Sequence, residues 1–155
     1  MKMKDFWEFK SKKYPRPFDE NVVRKTKEVL KRIENYGVSF ENKNIIDIGC
    51  GTGIYGLVIA SKAKKVLCFD ISEGMIEVLK DEAERFDIKN IDVVVDDFKE
   101  YRFENYKKSF DISFASMTPA IKDLNDVLKM EYLSKEFCIY IGWVGNRENK
   151  VYDEV

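Results

Sequence analysis

Short apolar runs alternate with amphipathic stretches along most of this chain. The runs are rich in Ile, Val, Phe and Cys and are apolar on both faces, a pattern typical of strands in a buried parallel sheet. Five strands are predicted, at residues 44–48, 66–69, 91–95, 110–115 and 137–141. Because helical periodicity separates most of them, the pattern predicts an α/β domain with a doubly wound, mainly parallel sheet of about five strands.

Helical periodicity predicts one helix before the sheet and three crossover helices within it. In the first helix, Asp19 is a candidate N-cap and Gly37 a C-terminal stop. The crossover helices are predicted at residues 55–62, 73–86 and 119–132. The connection 98–108 is expected to hold only a short helical turn. Since no repeat or linker interrupts the pattern, we expect one structural domain, with an N-terminal helical lid segment (1–37) and a main body (38–155).

Composition narrows the classes of protein. The 155 residues are 45% hydrophobic, without an apolar run long enough for a membrane span and without a secretory signal, so a cytoplasmic, non-membrane protein is expected. The 27 basic and 28 acidic side chains nearly cancel, and the sequence pI is about 5.7, which disfavours a nucleic-acid partner. The three cysteines lie far apart and histidine is absent, so neither a disulfide framework nor a metal site is expected, and histidine-dependent hydrolases are excluded.

The most informative stretch links the first predicted strand to the next helix. It reads IIDIGCGTG over residues 45–53, and its glycines allow the backbone to pass close to a ligand. Residues 51–56 also fit the pattern G-x-G-x-x-G, and Asp70 ends the next strand about 20 residues further on, as in dinucleotide-binding sites. A tight turn without a ligand is the alternative interpretation.

Asp47, at the tip of the first strand, distinguishes a cationic ligand from an anionic one. A pyrophosphate group at the start of the following helix would be repelled by its carboxylate. A ligand with a sulfonium and an ammonium group would be attracted, and its own carboxylate could use the N–H groups of the loop. Asp47 therefore favours a cationic ligand over NAD.

Four segments occur in one order and spacing over roughly residues 44 to 141: IIDIGCGTGIYGLVIA, VLCFDIS, GMIEVLKDEA and VVVDDF. Together they resemble the class I S-adenosylmethionine-dependent methyltransferases. The resemblance implies a Rossmann-like methyltransferase fold, S-adenosyl-L-methionine as the cofactor and methyl transfer as the activity. It also implies that the methionine end of the cofactor lies against Asp47, Gly49, Cys50, Gly51 and Gly53.

The resemblance assigns the adenosine end of the cofactor to later segments. Asp70 would accept both ribose hydroxyls, with Ile71 against the adenine. The family's acid after the third strand binds the adenine amino group, and here Asp97, which precedes Phe98, is favoured over Asp96. Two solvated turn carboxylates are the alternative for this pair.

Further candidates come from the helix predicted at residues 73–86 and from the fourth strand. Met75 begins a helix beside the adenine in similar proteins, and plain core packing is an equal alternative. Ala115, at the end of the fourth strand, is a candidate cofactor contact. Ser116 and Met117 follow it and are candidates for the side of the site that faces the methyl acceptor. Thr118–Pro119 is interpreted as a helix start, with Thr as the cap.

The N-terminal segment mixes aromatic residues with lysines. Many small-molecule methyltransferases similarly fold an N-terminal segment over the cofactor, which makes Trp7 and Tyr14 candidate lid residues, with Tyr14 also on the acceptor side. In an equal alternative, Phe6, Trp7 and Phe9 anchor the segment on the edge of the sheet. Nucleic-acid contact through this arm is a third, disfavoured interpretation.

The acceptor is not encoded in a recognisable motif. The Asn/Asp-Pro-Pro-Tyr/Phe tetrad of methyltransferases that act on base amino groups is absent after the fourth strand, so a small-molecule acceptor is expected. Two other functions stay open: an NAD-type oxidoreductase, and a cofactor-binding fragment without catalysis.

The last predicted strand sets an expectation about assembly. The family's sheet commonly has seven strands, whereas the strands predicted here end with the fifth, at residue 141. We therefore expect a fragment, a minimal version, or a protein that completes its sheet with a partner. A homodimer or another partner is expected at the edge of the fifth strand, because an uncovered edge is prone to association.

Overall fold

A parallel five-stranded sheet forms the centre of the molecule. The computed structural model describes residues 2–142. The strands are β1 Asn44–Ile48, β2 Lys65–Asp70, β3 Ile91–Val95, β4 Phe110–Ser116 and β5 Ser134–Ile141. Their order is β3-β2-β1-β4-β5, and every neighbouring pair is parallel. The predicted fold class is therefore confirmed, and only β5 begins clearly earlier than its predicted start at Phe137.

In the part of the chain that the structure describes, five α-helices and one 3₁₀ turn accompany the sheet. They are α1 Met3–Ser11, α2 Glu20–Asn35, α3 Gly56–Ile59, α4 Glu73–Arg85 and α5 Leu124–Leu133, with the 3₁₀ turn at Glu104–Tyr106. Ser72 caps α4, because its hydroxyl accepts a hydrogen bond from Met75 N at 3.1 Å. Within residues 2–142, no helix combines the length and the apolar character that a bilayer crossing requires.

The predicted start of the last crossover helix is wrong. The helix begins at Leu124, and Asp123 caps it, rather than Thr118. The Thr118 hydroxyl instead accepts a hydrogen bond from Ala120 N at 3.1 Å, and its side chain packs so tightly on Gly49 that a side chain at Gly49 would collide with it. This long-range contact holds residues 118–122 as a loop, although the local pattern favours a helix.

Two hydrophobic cores cover the two faces of the sheet. The first lies under α2, α3 and α4 and contains Leu30, Ile33, Leu57, Ile76, Leu79 and Phe114. The second lies under α5 and the 98–106 segment and contains Phe69, Phe98, Phe103, Met130 and Leu133. Each fully buried side chain of this size contributes roughly 1.5–3 kcal/mol to folding. Both faces of the sheet are therefore covered by packed side chains. A binding site can form only at the loops that follow the ends of the strands.

The strand order places a crevice at the carboxyl ends of β1 and β4. The chain runs outward from β1 through β2 to β3 and then returns to β4 on the other side of β1. In open α/β sheets, ligands bind at such a switch point. The loops after β1, β2 and β4 all meet there.

Candidate functional site

A cavity of about 230 Å³ opens at this switch point, between the loops after β1, β2 and β4 and the N-terminal segment. Most of the predicted site residues lie on its wall: Trp7, Tyr14, Asp47, Gly49, Cys50, Gly51, Asp70, Ile71, Met75, Asp96, Asp97, Phe98, Ser116 and Met117. Gly53 lies outside the wall and packs against Leu57 and Leu79, and Ala115 is buried within β4. Seven further residues line the cavity that the sequence analysis did not name as site residues: Met3, Ile54, Tyr55, Phe69, Thr118, Pro119 and Ala120.

The glycine loop is tied to the end of β2, and we call residues 47–53 and 70–72 the β1–β2 side of the cavity. The N–H groups of Gly49 and Cys50 both donate to the carbonyl oxygen of Phe69, at 2.7 and 3.1 Å. Gly51 N donates to Asp70 Oδ2 at 2.8 Å. These bonds fix the course of the loop before any ligand binds, because they use its own backbone groups.

Asp70 is nine-tenths buried and accepts one backbone hydrogen bond on each carboxylate oxygen. Oδ2 takes the bond from Gly51, and Oδ1 accepts from Ser72 N at 2.9 Å. Burial raises the pKa of Asp70, although the backbone hydrogen bonds act in the opposite direction. Since a carboxylate has about four acceptor positions, each oxygen can still accept a further hydroxyl group.

Asp47 carries a buried oxygen without a partner. The residue is 2% exposed, and its Oδ2 has no hydrogen bond within residues 2–142. Burial raises the pKa of Asp47 to about 8, and the nearby Asp70 carboxylate adds to the shift, whereas the nearby backbone N–H of Gly56 acts in the opposite direction. An unpaired buried carboxyl group costs free energy that a ligand's cation would recover. The residues present therefore fit a positively charged group at this point.

The turn after β3 brings both acidic candidates to the cavity. Asp96 accepts from Asp97 N at 2.7 Å, and Asp97 accepts from Lys99 N at 2.9 Å, so each keeps one carboxylate oxygen free of these bonds. Below them, the Phe98 ring is 3% exposed. Lys129, on α5, holds this turn: its ammonium donates to the carbonyl oxygen of Phe98 and lies 4.5 Å from the centre of that ring. Burial lowers the pKa of Lys129.

We call Tyr14, Tyr55 and residues 116–118 the β4 side of the cavity. The Tyr55 ring packs on Phe114 with 5.2 Å between ring centres, and Ser116 lines the same cavity. Met117 has a φ of +50° and an exposed fraction of 41%, and its N–H donates to Ile141 O at 2.7 Å. Its unusual backbone turns the chain across the cavity mouth.

Helix α1 lies against the cavity and is fastened to α4. Glu8 Oε1 accepts from Ser72 Oγ at 2.8 Å and from Gly74 N at 3.0 Å. The hydrogen bond from Gly74 is the main reason that the pKa of Glu8 is lowered. Gly74 has no room for a side chain, because Ser11 packs on it. A carboxylate at a helix N-terminus is favourable, so Glu8 acts as a latch between the two helices.

The segment after α1 is held by two further contacts. Thr52, inside the glycine loop, donates its hydroxyl to Pro15 O at 2.9 Å. Arg16 pairs with the buried Glu82 at 2.9 Å and with Asp81. The ring of Tyr14, in this segment, meets the ring of Trp7, on α1, edge to face with 6.2 Å between their centres. The segment thus crosses the cavity.

The exposure of the α1 aromatic residues argues against the alternative in which Phe6, Trp7 and Phe9 anchor the N-terminal segment on the edge of the sheet. Phe6 and Phe9 are 42% and 59% exposed, rather than packed on the edge of the sheet. Trp7 alone of the three lines the cavity. The sequence had no local signal for this orientation, because the contacts of Glu8 and Ser11 with Gly74 set it.

Comparison with known proteins identifies the family. A family model described as a methyltransferase domain matches residues 45–131. The chain is similar to ribosomal RNA small subunit methyltransferase A of Mesomycoplasma hyopneumoniae, with 35% identity over 89 residues that cover 57% of this chain and 32% of the relative. It is similar to a probable cobalt-precorrin-6B C(15)-methyltransferase of Methanocaldococcus jannaschii, with 34% identity over 88 residues that cover 53% and 48%. The chain thus spans less than half the length of these relatives.

A solved structure shows the same fold. The phosphoethanolamine N-methyltransferase 1 of Haemonchus contortus, in complex with phosphoethanolamine and S-adenosylhomocysteine, superposes with a TM-score of 0.62 and 23% identity. The match covers 81% of this chain and 27% of that one. The chain therefore belongs to the methyltransferase-domain family, and its resemblance to the class I S-adenosylmethionine-dependent methyltransferases is confirmed.

Proposed function

We propose that this chain binds S-adenosyl-L-methionine in the cavity and transfers the methyl group to a small-molecule acceptor. The observation that carries the proposal is the buried Asp47, which lines the cavity and whose Oδ2 has no hydrogen-bond partner within residues 2–142. The cofactor has a sulfonium and an ammonium group, either of which compensates a buried carboxylate. A pyrophosphate-containing cofactor such as NAD would add a second anion beside Asp47 and Asp70.

The other wall residues suit the remaining parts of this cofactor. Asp70 keeps acceptor positions for two ribose hydroxyls. Ile71 and Phe98 offer apolar surface to an adenine ring, and Asp97 or Asp96 accepts from its amino group. Met75, Ala115 and the glycines of the loop stay candidate contacts. The part of the segment 1–37 that precedes α2 acts as the lid, whereas α2 buries Leu30 and Ile33 in the core of the domain.

Binding and orientation are the main tasks of the protein in this reaction. The cofactor, when bound, supplies an activated methyl group with its leaving group already in place. Trp7 and Tyr14 cover the cavity and exclude water, while Ser116 and Met117 face the side where the acceptor enters. Because no histidine is available, the acceptor must be nucleophilic at neutral pH or pass its proton to Tyr, a carboxylate or water.

A small acceptor is supported by the way in which the cavity is covered. Helix α1 contributes Met3 and Trp7 to the wall and is latched to α4 through Glu8, and Tyr14, Tyr55 and Met117 also line the cavity. A folded nucleic acid would have to displace these contacts to bring a base to the cavity.

The experiment is a calorimetric titration followed by an activity screen. We expect S-adenosylmethionine and S-adenosylhomocysteine to bind and NAD not to bind. Labelled S-adenosylmethionine is then incubated with pooled metabolites and, separately, with ribosomal RNA. Label in the metabolite pool supports the small acceptor, and label only in RNA contradicts it. Cofactor binding without any transfer would instead indicate a binding module.

We also propose that a second copy or another partner covers the free edge of β5. Within the described residues β5 pairs only with β4, and Phe137 on this strand is 39% exposed. Light scattering should show a dimer at micromolar concentration, and a monomer at all concentrations would contradict pairing between copies.

A further inference from the structure

The turn after β3, residues 96–101, directs the side chain of Asp97 through its own backbone. The carbonyl oxygen of Asp97 accepts hydrogen bonds from Glu100 N and Tyr101 N, at 3.1 and 2.9 Å. Its carboxylate oxygen Oδ1 accepts from Lys99 N at 2.9 Å. A short side chain that bonds the backbone two residues further on follows the course of that backbone. The direction of the Asp97 carboxylate therefore depends on whatever holds this turn in place.

The two acidic residues of this turn differ in their surroundings. Asp97 is half-buried on the cavity wall, whereas Asp96 is exposed. Phe98, which follows Asp97 in the chain, is buried and lines the same wall. A hydrogen bond to a partly buried carboxylate is stronger than one to a fully solvated carboxylate, because the local dielectric is lower. Of the two residues, Asp97 is the better acceptor for a ligand's amino group.

Lys129, on α5, holds this turn from a distant part of the chain. Its ammonium donates to the carbonyl oxygen of Phe98 and to that of Tyr101, the latter at 3.3 Å. Phe98 directly follows Asp97, and Tyr101 donates its N–H to the Asp97 carbonyl oxygen. The ammonium thus bonds both ends of the turn that Asp97 opens.

The packing around Lys129 does not by itself require a charge. The ammonium lies 4.5 Å from the centre of the Phe98 ring and 5.1 Å from that of Phe103, and the side chain is half-buried. An apolar side chain of similar length would fill this space without the cost of desolvating an ammonium. The bonds to the two carbonyl oxygens are what an apolar side chain cannot replace.

We propose that Lys129 is a positioning residue for the purine of the cofactor: by bonding the carbonyl oxygens of Phe98 and Tyr101, it directs the Asp97 carboxylate at the purine amino group. Lys129 thereby sets how well the site distinguishes an amino purine from an oxo purine. A carboxylate accepts a hydrogen bond from the amino group and repels a keto oxygen in the same place. This proposal rests on the proposed function, because it concerns the adenine end of the same cavity, and it selects Asp97 over Asp96.

The test compares two ligands that differ in one group of the purine. S-Adenosylhomocysteine and its deaminated analogue S-inosylhomocysteine are titrated separately by calorimetry. The wild type should bind the amino form at least about tenfold more tightly than the oxo form. K129M keeps the apolar stem and removes the donors, so it should lower this ratio about threefold to tenfold. K129R keeps the charge and the donors and should stay closer to the wild type.

A matched control and the unfolded outcome complete this comparison. K135M removes a lysine that pairs with Asp111 at 3.7 Å, away from the turn, so the ratio should not change. If K129M does not fold, K129Q replaces it with the same expectations. A merely structural role of Lys129 would weaken both ligands equally. An unchanged ratio in the Lys129 variant, or a wild type that binds both ligands equally, would therefore overturn the proposal.

A double-variant cycle shows whether Lys129 acts through Asp97. D97N should remove most of the preference for the amino form, because the amide can also donate to a keto oxygen. Adding K129M to D97N should then leave the ratio unchanged, whereas adding K129M to D96N should have its full effect. Loss of the preference in D96N rather than D97N, or a full effect of K129M in D97N, would contradict the proposal. Failure of S-adenosylhomocysteine to bind the wild type would instead contradict the proposed function.

Discussion

The two sides of the cavity are built in different ways. On the β1–β2 side, the loop and Asp70 bond one another within a short stretch of chain, and Gly51 and Asp70 are 19 positions apart. On the β4 side, Tyr14, Tyr55 and Ser116 come from three separate segments of the chain and line the same cavity. A local motif therefore determines the first side, whereas long-range contacts determine the second. This difference explains how one cofactor site can serve relatives with different acceptors.

The largest effect is expected on the β1–β2 side, from Asp70→Ala. The change removes the bond to the loop and the proposed acceptor for two ribose hydroxyls, at about 1.5–3 kcal/mol for each hydrogen bond to a charged group. Affinity for S-adenosylmethionine should fall more than about 100-fold in calorimetry. The control Asp92→Ala, an exposed carboxylate paired with Lys65 and distant from the cavity wall, should bind normally. Unchanged affinity in Asp70→Ala would remove Asp70 from the site.

A second change tests whether the two sides depend on each other. Gly49→Ala places a methyl group against Thr118 and puts a side chain on a residue with a φ of +71°. The cost in the free energy of unfolding should be about 2–5 kcal/mol, measured by urea denaturation. Gly49→Ala should cost less when it is introduced into Thr118→Gly than into the wild type, because the added methyl group then no longer meets the Thr118 side chain. Equal costs in both backgrounds would show that the contact between the two sides is unimportant.

The pH dependence of the free energy of unfolding tests whether Asp47, on the β1–β2 side, is protonated in the folded protein. Its pKa is raised from 3.8 to about 8 on folding, so the folded protein holds a proton that the unfolded chain has lost. Stability of the ligand-free protein should therefore fall as the pH rises from about 4 to 8, by up to about 1.4 kcal/mol per pH unit, and then level off. Asp47→Asn should remove this contribution. An identical pH profile for both proteins would place the proton elsewhere.

The smallest effect is expected at the latch of α1. Glu8→Gln weakens the bonds to Ser72 and Gly74 and should cost about 1 kcal/mol. Because the pKa of Glu8 is lowered, the latch should be complete above the ordinary carboxyl pKa and should weaken as the pH falls through the lowered value. Hydrogen exchange should be faster in α1, while the strands stay protected. Equal protection of α1 in both proteins would show that Glu8 does not hold it.

The sequence predicted the two sides unequally. The strands, the glycine loop and Asp70 were found, because each depends on residues near it in the chain. The start of α5 was placed wrongly, since Thr118 packs on Gly49 across the sheet. Glu8, Tyr55 and Lys129 carried no local signal, because their partners lie far away in sequence. Binding by the predicted residues stays a prediction, although most of them share one cavity.

The measurement that tests the central claim most directly is the affinity for S-adenosylmethionine of the wild type and Asp47→Asn between pH 6 and 9. A cation favours the ionised Asp47, so binding releases its proton. Wild-type affinity should therefore rise relative to the variant, by up to about tenfold per unit toward pH 8, and stay level above it. The titration of the ligand's own amine is common to both proteins and cancels. Equal affinities across the whole range, or tighter binding of NAD than of S-adenosylmethionine, would contradict a cationic ligand at Asp47.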